Sequence, residues 1–305
     1  MAVGFGSYEI ARSGLHVSER SLFVTGHNIS NASTPGYVRQ QAIINTAPYF
    51  TLQSKYGLQQ VGLGAGVEQI RQIRHTFLDN IYRQENTSLG YWETRNKTLQ
   101  DVQTILGEPL GTGLQSIMNQ FWDAWQELSK EPDSLTVRAL VVQRGESLVS
   151  YINHLGNQLD KLQSDLNSEI QVRINEVNQL TKQIAELNLK IMKNEVTGDS
   201  ANDYRDQRNL LVDQLTKLVN VDIFENEFGS MSITLGGYFL VNNDRSTDLY
   251  AGYKENNGSF YVPMLEGTEL EVPIESGILK GLLESRGVVN ETGDTNNIVS
   301  VLKKQ

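Results

Sequence analysis

The longest hydrophobic pattern in the chain lies between residues 148 and 191. Large apolar residues recur there at an average interval of about 3.6 positions, the period of a straight α-helix. Asp133 and Ser134 are good N-cap types, so the pattern predicts one helix from there to about Glu195, roughly 90 Å long at 1.5 Å per residue. The predicted core positions are Leu148, Ile152, Leu155, Leu159, Leu162, Leu166, Ile170, Ile174, Val177, Leu180, Ile184, Leu187 and Ile191.

Two shorter helical patterns precede it, one ending at Gly107-Glu108-Pro109 and one ending before Pro132. Aromatic residues at helical spacing are usually core, so we favour core packing over a stacking platform for the cluster Phe121 to Trp125. With a further helix through Leu211, Leu215 and Leu218, residues 74–218 are predicted to form a long helical-bundle domain. The predicted faces are Phe77, Ile81, Trp92, Leu99, Val102 and Leu106 in the first helix, and Leu114, Ile117, Phe121, Trp125 and Leu128 in the second.

The N-terminal segment carries two columns of residues at a heptad spacing. The large column is Tyr8, Leu15, Leu22 and Ile29, and the small column is Ala11, Ser18, Thr25 and Ala32. Four bulky side chains bury too little apolar area to hold a lone helix, so we expect residues 1–36 to form a helix that needs partner helices. Packing of this helix within its own domain is the alternative.

A period-two pattern predicts β-structure after Val219, whereas residues 37–73 carry extended and turn signals. Residues 37–73 read as an extended connecting segment, and residues 219–275 as a small β-rich module with hairpin turns at Gly236-Gly237 and Asn257-Gly258. Residues 276–305 return to helix from Gly277, with a last helix from Ile298 that has no stop signal. The predicted fold class is mainly α: an elongated helical bundle with a very long helix, an N-terminal axial helix and a small β-rich domain.

The end of the N-terminal helix has the most distinctive sequence, Asn28 to Gln40 (N-I-S-N-A-S-T-P-G-Y-V-R-Q). Pro35 disfavours helix at Thr34 and Gly36 can adopt positive φ, so the helix should stop at about Ser33. Asn28 and Asn31 lie one turn apart and can bond the backbone or a neighbouring chain. By spacing alone, an ordinary helix end and a binding motif both stay open.

Composition narrows the class of function. A net charge of −10 with a pI near 5.0, and no Lys/Arg-rich run, argue against nucleic acid as a partner. The N-terminal residues lack the pattern of a cleaved signal peptide, and no run approaches the length of a membrane span, so we expect no membrane partner. The absence of cysteine removes disulfides and thiolate sites.

Candidate chemistry is sparse, and we predict no catalytic, cofactor or metal site. His16, His27, His75 and His154 are scattered without partners at metal-ligand spacing and read as surface or interface residues. The glycine-rich Gly62 to Gly66 lacks the βαβ context of a nucleotide loop, so a flexible turn is the better interpretation. Asp203 and Asp206 read as helix-start acids flanked by Arg205 and Arg208 rather than as an acid/base pair or cation ligands.

Several segments together resemble flagellar hook-associated proteins, within the family of flagellar rod, hook and hook-associated axial subunits. The resemblance runs from about Ser7 to Arg286. Asn209 departs from it, because the family usually has an acid at that position. The segments that carry it are the Thr-Pro-Gly-Tyr turn, Gly64 to Val67, Phe121 to Trp125 with Pro132, Val177 to Leu180 with Ile184 to Asn188, Asn202 to Arg208, and Ser276 to Leu283.

The resemblance implies a structural subunit of the hook-filament junction, outside the cell, exported without a cleaved signal peptide. It implies self-assembly in a ring, with the hook protein and a second junction protein as neighbours and the flagellar export apparatus and an export chaperone as delivery partners. The family chain is longer and returns a C-terminal helix, so this chain looks C-terminally truncated. The implied assembly interface is Tyr8, Leu15, Leu22, Asn28, Ile29, Asn31, Pro35, Gly36 and Tyr37.

Two alternatives stay open. The chain could be another flagellar axial subunit of the rod or hook. In a different class, it could be a secreted enzyme with its active site in the β-rich module, although Asp222, Glu225, Glu227, Asp244 and Asp248 have no His or Lys base nearby in sequence.

Overall fold

The computed structural model describes residues 3–54, 57–107, 113–196, 198, 200–226, 229–253, 260–287 and 298–304. The N-terminal part begins with helix α1 (Val3–Ser30), and the extended segment after it forms four β-strands. Strands β1 and β4 pair antiparallel, with Gln40 opposite Gln72, and β2 and β3 form a separate hairpin. The strands are β1 (Gln40–Thr46), β2 (Tyr49–Ser54), β3 (Gly57–Gly62) and β4 (Ala65–Gln72).

Helix α1 lies across the ribbon of β1 and β4, with Val17 and Val24 buried beneath it. The predicted large and small columns both face away from the ribbon, so neither supplies the face that packs inside the chain. The helix ends at Ser30 rather than at Ser33. The reason is a change of hydrogen bonding: Ala32 N–H donates to the Ile29 carbonyl and Thr34 N–H to the Asn31 carbonyl, which are turn contacts.

The bundle consists of α2 (Thr76–Leu106), α3 (Leu114–Lys130), α4 (Leu135–Glu195) and α5 (Asn202–Leu218). Helix α4 has 61 residues and follows Ser134 as its N-cap, which confirms the predicted bounds of the long helix. Helix α2 stops at Gly107, as predicted, whereas Pro109 lies outside the described residues. Most of the predicted core positions of α4 are buried, but Ile152 is 51% exposed, which corrects the prediction there. Ile152 lies N-terminal to the part of α4 that joins the hydrophobic core, which begins at Leu159.

The predicted face of α2 is packed only at its C-terminal end. Its large side chains Phe77, Ile81, Trp92 and Leu99 are exposed, whereas Val102 is buried and Leu106 packs against the core. The face toward α5 is small and polar and is held by hydrogen bonds. Thr87 Oγ1 donates to the Thr216 carbonyl (2.7 Å), Asn86 Nδ2 donates to the Asp213 carbonyl (2.7 Å), and Arg83 pairs with the Asp213 carboxylate (2.8 Å).

The aromatic cluster of α3 is also more open than expected. Trp122 and Trp125 are exposed, and Phe121 meets Trp125 edge-on with ring centroids 6.1 Å apart. The assignment of this cluster to the core is therefore wrong for the two tryptophans. Among the described elements, α4 is the one that packs extensively on α3.

The β-rich part consists of β5 (Asp222–Glu225), β6 (Met231–Leu235), β7 (Tyr238–Asn242), β8 (Arg245–Ser246), β9 (Leu249–Tyr253) and β10 (Tyr261–Leu265). Strands β5 to β8 form one antiparallel sheet in sequence order, and β9 pairs with β10. Gly236-Gly237 makes the predicted hairpin turn, and Asn257-Gly258 lies outside the described residues. Helices α6 (Ile278–Arg286) and α7 (Ile298–Lys304) complete the described chain.

One hydrophobic core runs through these parts. It joins Ile170, Ile184 and Val212 of the helices to Ile233 and Leu240 of the sheet. The β-rich part is therefore packed on the long helix, and the fold is mainly α with small antiparallel sheets, as predicted. The division into five segments with boundaries at residues 36, 73, 218 and 275 stays a prediction.

Candidate assembly surface

The turn after α1 is built around the Asn28 side chain. Its Oδ1 accepts hydrogen bonds from the Tyr37 hydroxyl (2.7 Å) and from the Gln40 backbone N–H (2.8 Å). Its Nδ2 donates to the Gln40 carbonyl (2.9 Å). Asn28 thus satisfies both backbone groups of the first residue of β1, and it fastens the helix to the ribbon.

The rest of the turn packs around Tyr37. His27 meets the Tyr37 ring edge-on with centroids 5.6 Å apart, and Asn31 Nδ2 donates to the His27 carbonyl (3.1 Å). Burial raises the pKa of Tyr37, and the nearby carboxylates of Asp203 and Asp206 raise it further. Tyr37 therefore stays a neutral donor to Asn28 over the physiological range.

The Pro35-Gly36 turn lies on helix α5. Gly36 has φ of 78°, a conformation that side chains rarely adopt, and a Cβ there would press on Leu210 at 3.0 Å. Pro35 is exposed. Of the predicted interface residues, Asn28, Asn31, Gly36 and Tyr37 thus make contacts inside the chain, and their role in docking to other subunits stays a prediction.

The four large residues of the α1 heptad behave differently. Tyr8, Leu15, Leu22 and Ile29 are each between 65% and 73% exposed and form an outward apolar stripe, joined by Phe23, which sequence reasoning did not select. We call these four heptad residues the α1 stripe. A stripe of this size on a helix of one chain is typical of a surface that another helix or subunit covers.

Sequence reasoning missed the partners of the turn, which are the two acids of α5. The N-cap of α5 is Ala201, and Asp203 and Asp206 point to the N-terminal part instead of capping the helix. Asp203 Oδ1 accepts from Gln40 Nε2 (2.9 Å) and lies 3.2 Å from His27 Nε2. Asp203 lies in the first turn of α5, as predicted, but the side chains of both acids bond the N-terminal part rather than the helix. His27 likewise has a partner that its sequence context did not reveal.

The flanking arginines face the other way. Arg205 binds Glu195 with two hydrogen bonds (2.7 and 2.8 Å) and Glu225 with a third (2.7 Å). Arg208, fully buried, donates to Asn188, to the Gly229 carbonyl and to Glu225. Burial lowers the pKa of Arg208, whereas the pairing with Glu195 raises that of Arg205. These arginines tie α5 to the long helix and the sheet.

A second group of exposed apolar side chains lies on helices α2, α3 and α4 of the bundle. On α2 they are Phe77, Leu78, Ile81, Tyr82, Leu89, Trp92 and Leu99, and on the α3/α4 hairpin Met118, Trp122, Trp125, Val142, Val149 and Ile152. We call the α2 residues the α2 stripe. Within the described ranges, no group of three or more histidine or acidic side chains could hold a metal ion, and no helix is both long and apolar enough to cross a membrane.

Comparison with known proteins identifies the family. A sequence model described as the flagellar hook-associated protein FlgK helical domain matches residues 99–301, more than half of the chain. The chain belongs to the FlgK family of flagellar hook-associated proteins. Members of this family are structural and not enzymes, which removes the secreted-enzyme alternative.

Individual relatives agree with the family match. Flagellar hook-associated protein 1 of Bacillus subtilis is 30% identical over 98% of this chain and 63% of its own length. The protein of the same name from Salmonella typhimurium is 27% identical over 90% of this chain and 51% of its own. The chain thus spans about half to two thirds of these FlgK-family proteins.

A solved structure shares the fold. The flagellar hook junction protein FlgK from Burkholderia pseudomallei superimposes with a TM-score of 0.57 at 22% identity, covering 67% of this chain and 38% of that one. At this identity the likeness concerns the fold alone.

Proposed function

We propose that the chain is a structural subunit of the junction between hook and filament, which self-assembles in a ring through α1 and the helical bundle. The observation that carries this proposal is the α1 stripe, in which Tyr8, Leu15, Leu22 and Ile29 stay exposed although the opposite face of the same helix is packed. Family membership supplies the flagellar setting.

In this proposal the ring lies between the hook protein and the second hook-filament junction protein. The subunit reaches the outside of the cell through the flagellar export apparatus, with the help of an export chaperone and without a cleaved signal peptide. Its assembly is required for filament growth and motility. Pro35 and the turn held by Asn28 and Tyr37 complete the predicted interface at the base of α1.

The assembly surface is tested in a flagellated strain that lacks its own family member and produces this chain within its full-length protein. The variant Leu15→Gln with Leu22→Gln should abolish filament attachment, because it removes apolar area from the α1 stripe without touching the packed face. The matched control is Arg20→Gln, an exposed residue of the same helix outside the stripe.

Filaments are counted by electron microscopy, and thermal unfolding is measured on the purified chain. We expect the double variant to unfold at the temperature of the parent chain while it attaches no filaments. Normal filament attachment by the double variant would contradict assembly through this stripe.

A further inference from the structure

The N-terminal part of the chain meets the bundle at the first turns of α5. We call described residues 3–73 the arm. Val38 N–H donates to Asp206 Oδ2 (3.0 Å), and Gln72 Nε2 donates to Asp206 Oδ1 (2.7 Å) and to the Asn202 carbonyl (2.8 Å). One buried carboxylate therefore holds both Val38, two residues before β1, and Gln72, the last residue of β4.

Two neighbouring residues of α5 extend this joint. Asn202 Nδ2 donates to the Ile70 carbonyl (2.7 Å), and Asp203 Oδ1 accepts from Gln40 Nε2 (2.9 Å). The cross-connections are thus mostly polar, and polar contacts depend on distance and angle more strongly than apolar packing does. Such a joint therefore fixes the angle between the arm and the bundle.

Contacts within the arm hold α1 against its strands, so a change in the angle between arm and bundle at the joint moves the whole of α1. Asn28 links α1 to β1, and Val17 and Val24 are packed against the ribbon. From His27 at the joint to Tyr8 the helix extends about 29 Å, so a 10° rotation at the joint moves the Tyr8 end by about 5 Å. Displacements of that size decide whether two apolar stripes meet.

We infer that Asp206, assisted by Asp203, is a positioning residue that sets the direction of α1 relative to the bundle. The two distinctive sequence segments, Asn28 to Gln40 and Asn202 to Asn209, are the two halves of this joint. The inference about direction stands on the contacts alone, whereas its consequence for junction assembly rests on the proposed function.

The electrostatics of the joint agree with this role. Asp206 is 5% exposed, and its direct partners are neutral donors rather than a cation. The charged or titratable groups that face it are Asp203 on its own helix, Arg74 beyond the end of β4, and Tyr37 from the arm, and His27 of the arm contacts Asp203. Because no cation among the described residues makes a close ion pair with Asp206, the joint depends on the placement of Val38 and Gln72.

The test measures the direction of the arm in the isolated chain. The chain has no cysteine, so Ala11→Cys on α1 and Lys193→Cys on α4, both exposed, provide two unique sites for spin labels. Pulsed electron paramagnetic resonance then gives the distribution of distances between arm and bundle. The parent should show one narrow distribution.

Asp206→Ala should shift or broaden that distribution by several ångström, and Asp206→Asn, which keeps one acceptor oxygen, should restore part of it. Gln72→Ala removes contacts of the same joint on the side of the arm. It serves as the test variant if Asp206→Ala does not fold. Gln207→Ala is the matched control, since Gln207 is the exposed neighbour on the same helix, and it should leave the distribution unchanged.

Unchanged distances in folded Asp206→Ala, or in Gln72→Ala if only that variant folds, would overturn the inference, even if thermal stability fell. The filament assay separates this result from the proposed function. Broadened distances together with normal filament attachment would support the joint and contradict its link to assembly.

Discussion

Asn28 illustrates what a single amide contributes at the residue scale. Its two hydrogen bonds to the Gln40 backbone resemble the contacts that a neighbouring strand would make, and a third joins it to the Tyr37 hydroxyl. Sequence analysis selected Asn28 and Tyr37 as notable residues. In the structure both side chains make contacts within the chain, at the end of α1. Spacing could not show which partner an amide chooses, because the same donors and acceptors serve a backbone in the same chain or in a neighbouring one.

Gln163 of α4 gives the sharpest test of a buried polar residue. From the helical period alone, Gln163 and Ser164 look equally replaceable, but Gln163 is only 6% exposed. It donates to the Arg286 carbonyl (2.9 Å) and to Ser300, and it accepts from Lys303 (2.9 Å). We predict that Gln163→Ala lowers the free energy of unfolding by about 1–3 kcal/mol, because partners are left unsatisfied.

The matched control is Ser164→Ala, on the exposed side of the same helix turn, which should change the unfolding free energy by less than about 0.5 kcal/mol. Denaturant unfolding of both variants measures the difference. Equal effects would mean that α7 does not dock on α4 through Gln163.

The raised pKa of Asp206 predicts that the stability of the folded chain depends on pH. Burial, with a smaller contribution from Asp203, raises its pKa to about 6, against the opposing effects of Val38 N–H, Arg74 and Gln72. Because the folded-state pKa lies above the unfolded value of 3.8, the stabilising contribution is complete below pH 3.8 and is lost as the pH rises through about 6. Relative to Asp206→Asn, the parent should lose about 1 kcal/mol of stability between pH 5.5 and pH 7.5.

Denaturant midpoints of the parent and of Asp206→Asn at several pH values provide the measurement. The two profiles should diverge with rising pH. Parallel profiles over this range would show that Asp206 does not titrate in the folded chain near pH 6.

At the scale of elements, the close approach of α2 to α5 and α6 depends on a missing side chain. A Cβ at Gly90 would overlap the Lys217 carbonyl oxygen and press on Ile278. We predict that Gly90→Ala lowers the unfolding free energy by about 2 kcal/mol or more, because neither backbone nor helix can move aside without loss of packing.

Gly156→Ala is the control, since a Cβ at this position in α4 meets nothing within 4 Å. This change should raise the unfolding free energy by about 0.5–1 kcal/mol, as expected for alanine in place of glycine inside a helix. Thermal or denaturant unfolding distinguishes the two. Stabilisation by both substitutions would show that α2 is not held this closely.

The elements themselves were predictable where the pattern is long and the packing apolar. The period in α4 located its bounds and most of its buried face, and Gly236-Gly237 located a hairpin. The packed face of α2 could not be predicted from the hydrophobic pattern. It consists of Arg83, Thr87 and other polar or small residues, which stabilise the contact with α5 through specific hydrogen bonds. The hydrogen-bond partners of Asp203 and Asp206 in α5 could not be predicted either, because they lie more than 130 positions away in sequence.

At the scale of the whole molecule, the described residues bury a hydrophobic core and leave apolar surfaces exposed on α1 and on the bundle. The core joins the long helix to the sheet, whereas the α1 stripe and the α2 stripe face outward. A net charge of −10 favours solubility of such a chain before assembly. An assembly subunit needs this combination of a stable body and uncovered surfaces, and family membership agrees with it.

The most direct test of the account asks whether the α1 stripe becomes covered. In the otherwise cysteine-free chain, placed within the full-length protein, Leu22→Cys is labelled with a maleimide in the monomer and in isolated hook-filament junctions. We predict rapid labelling in the monomer and strong protection in the junction, after subtraction of the signal of the parent protein, while Glu19→Cys, exposed beside the stripe, is less protected. Equal labelling of Leu22→Cys in monomer and junction would contradict assembly through α1.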